Sequence, residues 1–264
     1  MDESCLKTLS VGTGPEARPI AVRTRLGAAP GLFWLGGFKS DMRGSKAEAL
    51  DAWAGRNGRA MVRFDYSGHG ESGGTFAEGT IGRWLEESAA VFRDCCTGPQ
   101  VAIGSSMGGW IALLLARALA QQGSEGGKGD KREASLAGLV LIAPAVDFTE
   151  ELMWKRMPPA IQQQITETGV WVRPSPYDEG GYPITRGLIE EGRNHLLLGD
   201  MIETGCPVRI LQGVRDEDVP WQHAVELTSR FARDDVVLTL VKDGDHRLSR
   251  PEDIERLITA VAEF

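Results

Sequence analysis

The chain has 264 residues, 42% of them hydrophobic, enough for one domain with a large buried core rather than two small ones. A formal net charge of −8 speaks against a broad nucleic-acid-binding surface. No apolar run approaches the roughly 18 residues of a membrane-spanning helix.

The start, MDESCLKTLS, has neither the charged-then-apolar pattern of a signal peptide nor the Arg/Ser bias of a transit peptide. This gives the expectation of a cytoplasmic protein. Cys5, Cys95, Cys96 and Cys206 lack the CxxC or CxxH spacing of a zinc site, so free thiols are expected.

Short apolar runs alternate with helix-period segments along the chain. IAVRTRL (20–26) and GLFWLGG (31–37) read as strands, followed by a helix over SKAEALDAWAGRNG (45–58). AMVRFDY (60–66) is a strand and IGRWLEESAAVFRDC (81–95) a helix. QVAIGSS (100–106) is a strand that runs into the helix GGWIALLLARALAQQ (108–122). A glycine-rich, charged loop over 123–135 precedes the strand AGLVLIAPA (137–145). PVRILQG (207–213) and VVLTLVKDG (236–244) are the last strands. Each precedes a helix, PWQHAVELTSRFARD (220–234) and PEDIERLITAVAEF (251–264), with Pro220 and Pro251 at the first turns. Strand followed by helix, repeated, predicts an α/β protein with a mostly parallel sheet covered on both faces.

Residues 147–200 interrupt this alternation. They hold helical pieces at 158–169 and 183–199 and are read as a cap inserted in a core of 1–146 and 201–264. Trp110, Trp154, Trp171 and Trp221 are candidates to line a pocket under it, with plain core as the commoner fate of tryptophan. Lys155 and Arg156 give the cap two basic residues that either meet an acidic group or face solvent.

Gly104-Ser105-Ser106-Met107-Gly108 fits G-x-S-x-G in one register, centred on Ser106. The motif lies where a strand turns sharply into a helix, which strains the central serine and exposes its hydroxyl. A reactive serine needs a base, and the base an orienting acid. Of the four histidines, His246 follows the last strand, at the carboxyl end where sites form in such sheets. His223 is expected on a helix surface, His195 at the end of a cap helix, and His69 as a structural residue in the turn YSGHGESGG. Asp216 comes soonest after the strand RILQG and is the expected acid, with Asp218 its rival. Two backbone N–H groups are expected to face a developing oxyanion: Met107, just after the serine, and Phe38, in FWLGGFKSD.

GSSMGG, LQGVRDEDVP, DGDHRL and RFDYSGHGES together resemble the α/β-hydrolase superfamily along nearly the whole chain. The second of these looks like the family's acid loop, which implies Asp216 rather than Asp218. The first residue of the Gly36-Gly37 pair stands where many members carry histidine, so Gly37 remains an alternative to Phe38. With GVWVRPSPY and DEDVPW the resemblance narrows to the acyl-glucuronide esterase and palmitoyl-protein thioesterase branch. It implies an α/β-hydrolase fold with a mostly parallel eight-stranded sheet, helices on both faces and a small helical cap. It also implies a serine hydrolase of small-molecule esters or thioesters acting through Ser106, Asp216 and His246, without metal or organic cofactor. The alternatives are action on C–C or amide bonds and a hydrolase-like binding protein with little turnover.

Overall fold

The computed structural model describes residues 4–125, 133–175 and 178–264. In chain order it runs β1 (Cys5–Val11), β2 (Arg18–Arg25), β3 (Ala28–Leu35), α1 (Ser45–Arg56), β4 (Arg59–Phe64), α2 (Ile81–Cys95), β5 (Pro99–Ser105), α3 (Met107–Glu125) and β6 (Ser135–Ile142). An insertion follows, with α4 (Pro159–Thr168), β7 (Val170–Ser175), β8 (Asp178–Thr185) and α5 (Arg186–Gly192). The chain then closes with β9 (Val208–Gly213), α6 (Trp221–Arg230), β10 (Val236–Val241) and α7 (Pro251–Ala262).

Eight strands form one sheet in the order β1-β2-β4-β3-β5-β6-β9-β10. β2 is antiparallel to both its neighbours, and every pairing from β4 to β10 is parallel. The apolar strands read as continuous runs because both faces are buried. Along β3, side chains alternate between the faces, as strand geometry requires. Leu32 and Trp34 pack with α1 and α7 through Leu50, Ala54, Leu257 and Val261. Phe33 and Leu35 pack on the other side with α2, α3 and α6 through Trp84, Trp110 and Leu227. The N-terminus of α2 is capped by Thr80, whose hydroxyl oxygen accepts the Arg83 N–H at 3.2 Å.

The seven strands and five core helices read from the sequence are all present, and β1 is the eighth strand, which the family resemblance implies but the apolar pattern does not locate. Its side chains are mostly exposed and it pairs only with β2, so it carries little of the apolar signal that marks the inner strands. The expected loop at 123–135 starts inside α3, and its residues 126–132 lie outside the described ones. The four cysteines are free thiols, with Cys96 and Cys206 buried.

The insertion is not purely helical, which corrects the expectation of a small helical cap. β7 and β8 form a separate antiparallel hairpin, with Trp171 opposite Ile184. Pro174 and Pro183 stand within these strands and obscure the alternation; a two-stranded ribbon tolerates them because each strand is an edge. The insertion has its own small core of Ile165, Ile184 and Ile189, on which Trp154 and Trp171 pack.

Asp147 closes the base of the insertion. Its backbone has a φ of 54°, and its carboxylate accepts N–H groups from Leu197 at 2.9 Å and Leu198 at 2.8 Å, joining the two ends of the segment. Burial, the largest influence, pushes its pKa up to about 6 although these two hydrogen bonds oppose the shift. Between the ordinary aspartate value near 3.9 and about 6, the folded state holds more protons here than the unfolded chain. The contribution of Asp147 to stability therefore falls as pH rises through that window. Asp147→Asn cannot ionise, so its unfolding free energy relative to the native protein is expected to rise from about pH 4 to about pH 6. Urea unfolding at several pH values in that window checks this; a constant difference refutes it.

Candidate active site

The turn between β5 and α3 carries Ser106 at a φ of 55°, in the left-handed region. For a residue with a Cβ this conformation costs about 1–2 kcal/mol. Three backbone hydrogen bonds hold it: Ser106 N–H to the Ile142 carbonyl at 2.8 Å, and the Ser106 carbonyl accepting from Gly109 at 2.9 Å and Ala145 at 3.1 Å. The flanking glycines allow the turn to be this tight. A Cβ on Gly104 would lie 2.3 Å from the Gly108 carbonyl oxygen, and one on Gly108 would lie 2.1 Å from that of Leu35. Ser105 is buried at the end of β5, whereas Ser106 lines an open cavity.

His246 lies in the loop after β10. Its Nε2 is 3.1 Å from Ser106 Oγ and its Nδ1 is 2.8 Å from Asp216 Oδ2. The Asp216 side chain has no exposed surface, and four N–H donors converge on its carboxyl group. Oδ1 accepts from the backbone of Asp218 at 3.0 Å and Val219 at 2.8 Å. Oδ2 accepts from His246 and from Gln212 Nε2, the latter at 3.1 Å. The structure thus brings together Ser106, His246 and Asp216, residues 140 and 30 positions apart in sequence. The rival acid Asp218 turns its side chain toward Arg173, at 3.6 Å, and is 57% exposed. Asp216, Asp218 and His246 place ligand atoms within 4.8 Å of one another, a spacing a cation could use, but Asp216 and His246 are bonded to each other there.

Met107 is the first residue of α3, so its N–H has no acceptor within the helix. Phe38 sits across the cavity in the turn after β3. Gly37 brings that turn against the serine: a Cβ there would lie 3.4 Å from Ser106 Cβ.

The cavity holds about 470 Å³. Phe38, Phe148, Leu152, Met153 and Ile184 form an apolar wall, while Arg156, Arg173, Glu217 and Asp218 add charge. None of the four candidate tryptophans lines it. Trp110 is fully buried and donates to the His195 carbonyl at 3.1 Å, and Trp154 and Trp171 belong to the insertion's core. Of the two cap basic residues, Lys155 pairs with Glu151 at 2.5 Å and only Arg156 reaches the cavity.

The other histidines lie elsewhere. His223 is buried, against the expectation of a surface position, with Nε2 2.8 Å from the Val146 carbonyl. His195 pairs with Glu191 in the insertion at 2.5 Å. His69 is buried beneath the Phe38 turn.

Two supports had no sequence signal. Gln212 is fully buried on β9, and the residues beside it in sequence do not show which partner it meets. Lys46 on α1 donates to the Arg247 carbonyl at 2.5 Å and to Ser249 Oγ at 3.3 Å, tying the His246 loop to the helix. Burial lowers the Lys46 pKa to about 8.

Residues 45–180 match the family described as serine aminopeptidase, S33. The mitochondrial palmitoyl-protein thioesterase ABHD10 of Rattus norvegicus is 36% identical over 255 residues, covering 96% of this chain and 81% of the relative. A putative hydrolase from Agrobacterium vitis S4 superposes with a TM-score of 0.92 at 45% identity, covering 98% of each chain. The mouse α/β-hydrolase domain-containing protein 10 superposes with a TM-score of 0.84 at 34% identity, covering 98% of this chain and 97% of that one. The ABHD10 relatives of rat, mouse and cattle are named as mitochondrial, which overturns the cytoplasmic expectation drawn from the first residues. No helix among the described residues is long and apolar enough to cross a membrane. The fold, the family match and these relatives agree: the chain belongs to the α/β-hydrolase superfamily, is related to the ABHD10 thioesterases, and is a hydrolase.

Proposed function

We propose that the protein hydrolyses carboxylic esters or thioesters by nucleophilic catalysis, with Ser106 as nucleophile, His246 as base and Asp216 as its orienting acid. The observation that carries this reading is the hydrogen-bonded line from Ser106 Oγ through His246 to Asp216, opening on an apolar-walled cavity. His246 Nε2 takes the serine proton as Oγ attacks the acyl carbon. Asp216 keeps the other imidazole proton on Nδ1 and stabilises the imidazolium that forms. The N–H groups of Met107 and Phe38 face the tetrahedral oxyanion; one such donor typically contributes about 3 kcal/mol. His246 then protonates the departing alkoxide or thiolate, and water activated by the same imidazole releases the acid.

The insertion at 147–200 acts as a cap whose apolar side chains receive the acyl group. Phe148, Leu152, Met153 and Ile184 come from this segment and Phe38 from the core, a composition that suits an acyl chain. Arg156, Arg173, Glu217 and Asp218 leave a polar side for the leaving group. The relatives named palmitoyl-protein thioesterases support an acyl thioester as one substrate class.

A fluorophosphonate is expected to label Ser106 alone, identified by peptide mass spectrometry. Turnover is then compared across p-nitrophenyl esters and acyl thioesters of increasing chain length, with an aminoacyl p-nitroanilide to probe amide cleavage. Optimal turnover on longer acyl chains supports the acyl assignment. Absence of Ser106 labelling would sink the mechanism, and preference for the anilide would replace ester with amide hydrolysis.

A further inference from the structure

The turn that carries Phe38 contains a second strained residue. Lys39 has a φ of 62°, in the left-handed region, although it has a full side chain. Such a conformation persists only where the surroundings over-determine it. Here the Lys39 N–H donates to Nε2 of His69 at 3.1 Å. On the other side of Phe38, the Gly37 carbonyl accepts from the Ser40 N–H at 3.1 Å and from Ser40 Oγ at 2.8 Å. The two anchored peptide groups therefore flank Phe38.

The chemistry at both ends of the His69 ring fixes its tautomer. The Ser67 carbonyl can only accept, so His69 Nδ1, 3.1 Å away, carries the proton. The Lys39 N–H can only donate, so Nε2 presents a lone pair. The anchor beneath is itself held: Ser67 N–H donates to Glu87 Oε2 at 2.9 Å, and the Ser67 carbonyl also accepts from Trp84 Nε1 at 3.3 Å. Tyr66, Phe76 and Trp84 surround the ring, with centroids 5.2–5.6 Å away. Phe76 and Trp84 also pack on the Phe38 ring, at 4.8 and 6.0 Å. Burial lowers the His69 pKa to about 4, so the ring is neutral through the neutral range.

We propose that His69 is a positioning residue for the hydrolysis: its Nε2 holds the strained Lys39 peptide and thereby sets the Phe38 N–H against the oxyanion. The inference rests on the ester or thioester hydrolysis proposed above. It gives a buried histidine outside the Ser106 line an effect on kcat through one backbone hydrogen bond. A glutamine can place Oε1 near the position of Nε2 and accept the same proton, whereas phenylalanine keeps the ring and loses the acceptor.

The experiment measures kcat and KM of His69→Phe, His69→Gln and Ser106→Ala on a p-nitrophenyl ester that the native protein cleaves. It adds ¹⁵N NMR of the native imidazoles between about pH 5 and pH 8. His69→Phe is expected to lower kcat about 10- to 100-fold, as a small misplacement of a donor does, with KM within about twofold. His69→Gln is expected to recover kcat to within about threefold of native. The native His69 is expected as the neutral Nδ1–H form throughout. Native kcat in a folded His69→Phe overturns the proposal and leaves the role of Ser106 standing, provided Ser106→Ala is inactive. An Nε2–H or charged His69 in the native protein also overturns it, including where His69→Phe does not fold. Native turnover in Ser106→Ala instead removes the proposed reaction, and the role of His69 with it.

Discussion

Ser106→Ala is expected to lower kcat by about 10⁶-fold on every ester or thioester the native protein cleaves, because nucleophile and base act as one unit. Loss of Oγ removes the atom that forms the acyl-enzyme and leaves His246 Nε2 without the group it deprotonates. Residual hydrolysis then depends on the oxyanion donors and binding alone. The change is expected to leave the fold nearly as stable as before. The three hydrogen bonds that hold the turn are all made by backbone atoms of residue 106, and alanine bears the same left-handed conformation with a Cβ of the same kind. Steady-state kinetics with a thermal melt beside them separates the two effects. The neighbouring serine supplies the contrast: Ser105 is buried on β5, so Ser105→Ala is expected to leave Ser106 labelling by a fluorophosphonate intact. Loss of labelling in that variant but not in Ser106→Ala would reverse the assignment of the two serines.

Much of this site is written locally. The strand-to-helix turn needs small residues at Gly104 and Gly108 because backbone oxygens lie where their Cβ atoms would stand, and that need shows in five consecutive letters. The parallel strands show for a similar reason: burial on both faces makes β3, β5 and β6 almost wholly apolar. Where burial fails, so does the signal, as in exposed β1 and in the proline-bearing β7–β8 hairpin. The supporting residues escaped for another reason. Gln212, Lys46 and Asp147 meet partners 4, 201 and 50 positions away, and His69, expected only as a structural residue, meets Lys39 30 positions away; their neighbours in sequence say nothing of which atom each meets. The tryptophans illustrate the converse. Size makes Trp110, Trp154, Trp171 and Trp221 candidates for a pocket wall, but Trp110 is entirely buried, Trp154 and Trp171 pack in the insertion's core, and the wall is made by Phe38, Phe148 and aliphatic side chains. The cytoplasmic expectation drawn from the first residues conflicts with the mitochondrial naming of the ABHD10 relatives.

Asp216→Asn tests the acid more sharply than deletion does, because it keeps the shape and changes only which atoms donate. The native carboxyl group accepts from four N–H groups: the Asp218 and Val219 amides on Oδ1, and Gln212 and His246 on Oδ2. An asparagine offers one oxygen, so its NH₂ must meet one pair of donors. With two rigid backbone amides on one side, the oxygen is expected to stay with Asp218 and Val219 and the NH₂ to face His246 and Gln212. The imidazole then has to accept at Nδ1 and carry its proton on Nε2, directed at Ser106 Oγ, where it cannot take the serine proton. A fall in kcat of about 10⁴-fold is expected, with KM little changed. Asp218→Asn keeps its backbone N–H to Asp216 and alters an exposed side chain 3.6 Å from Arg173, so it is expected to stay within about threefold of native. Imidazole ¹⁵N shifts of His246 in Asp216→Asn report the tautomer directly. If the activity falls without a change of tautomer, the acid acts by charge rather than by orientation; if Asp218→Asn shows the larger loss, the acid has been misassigned.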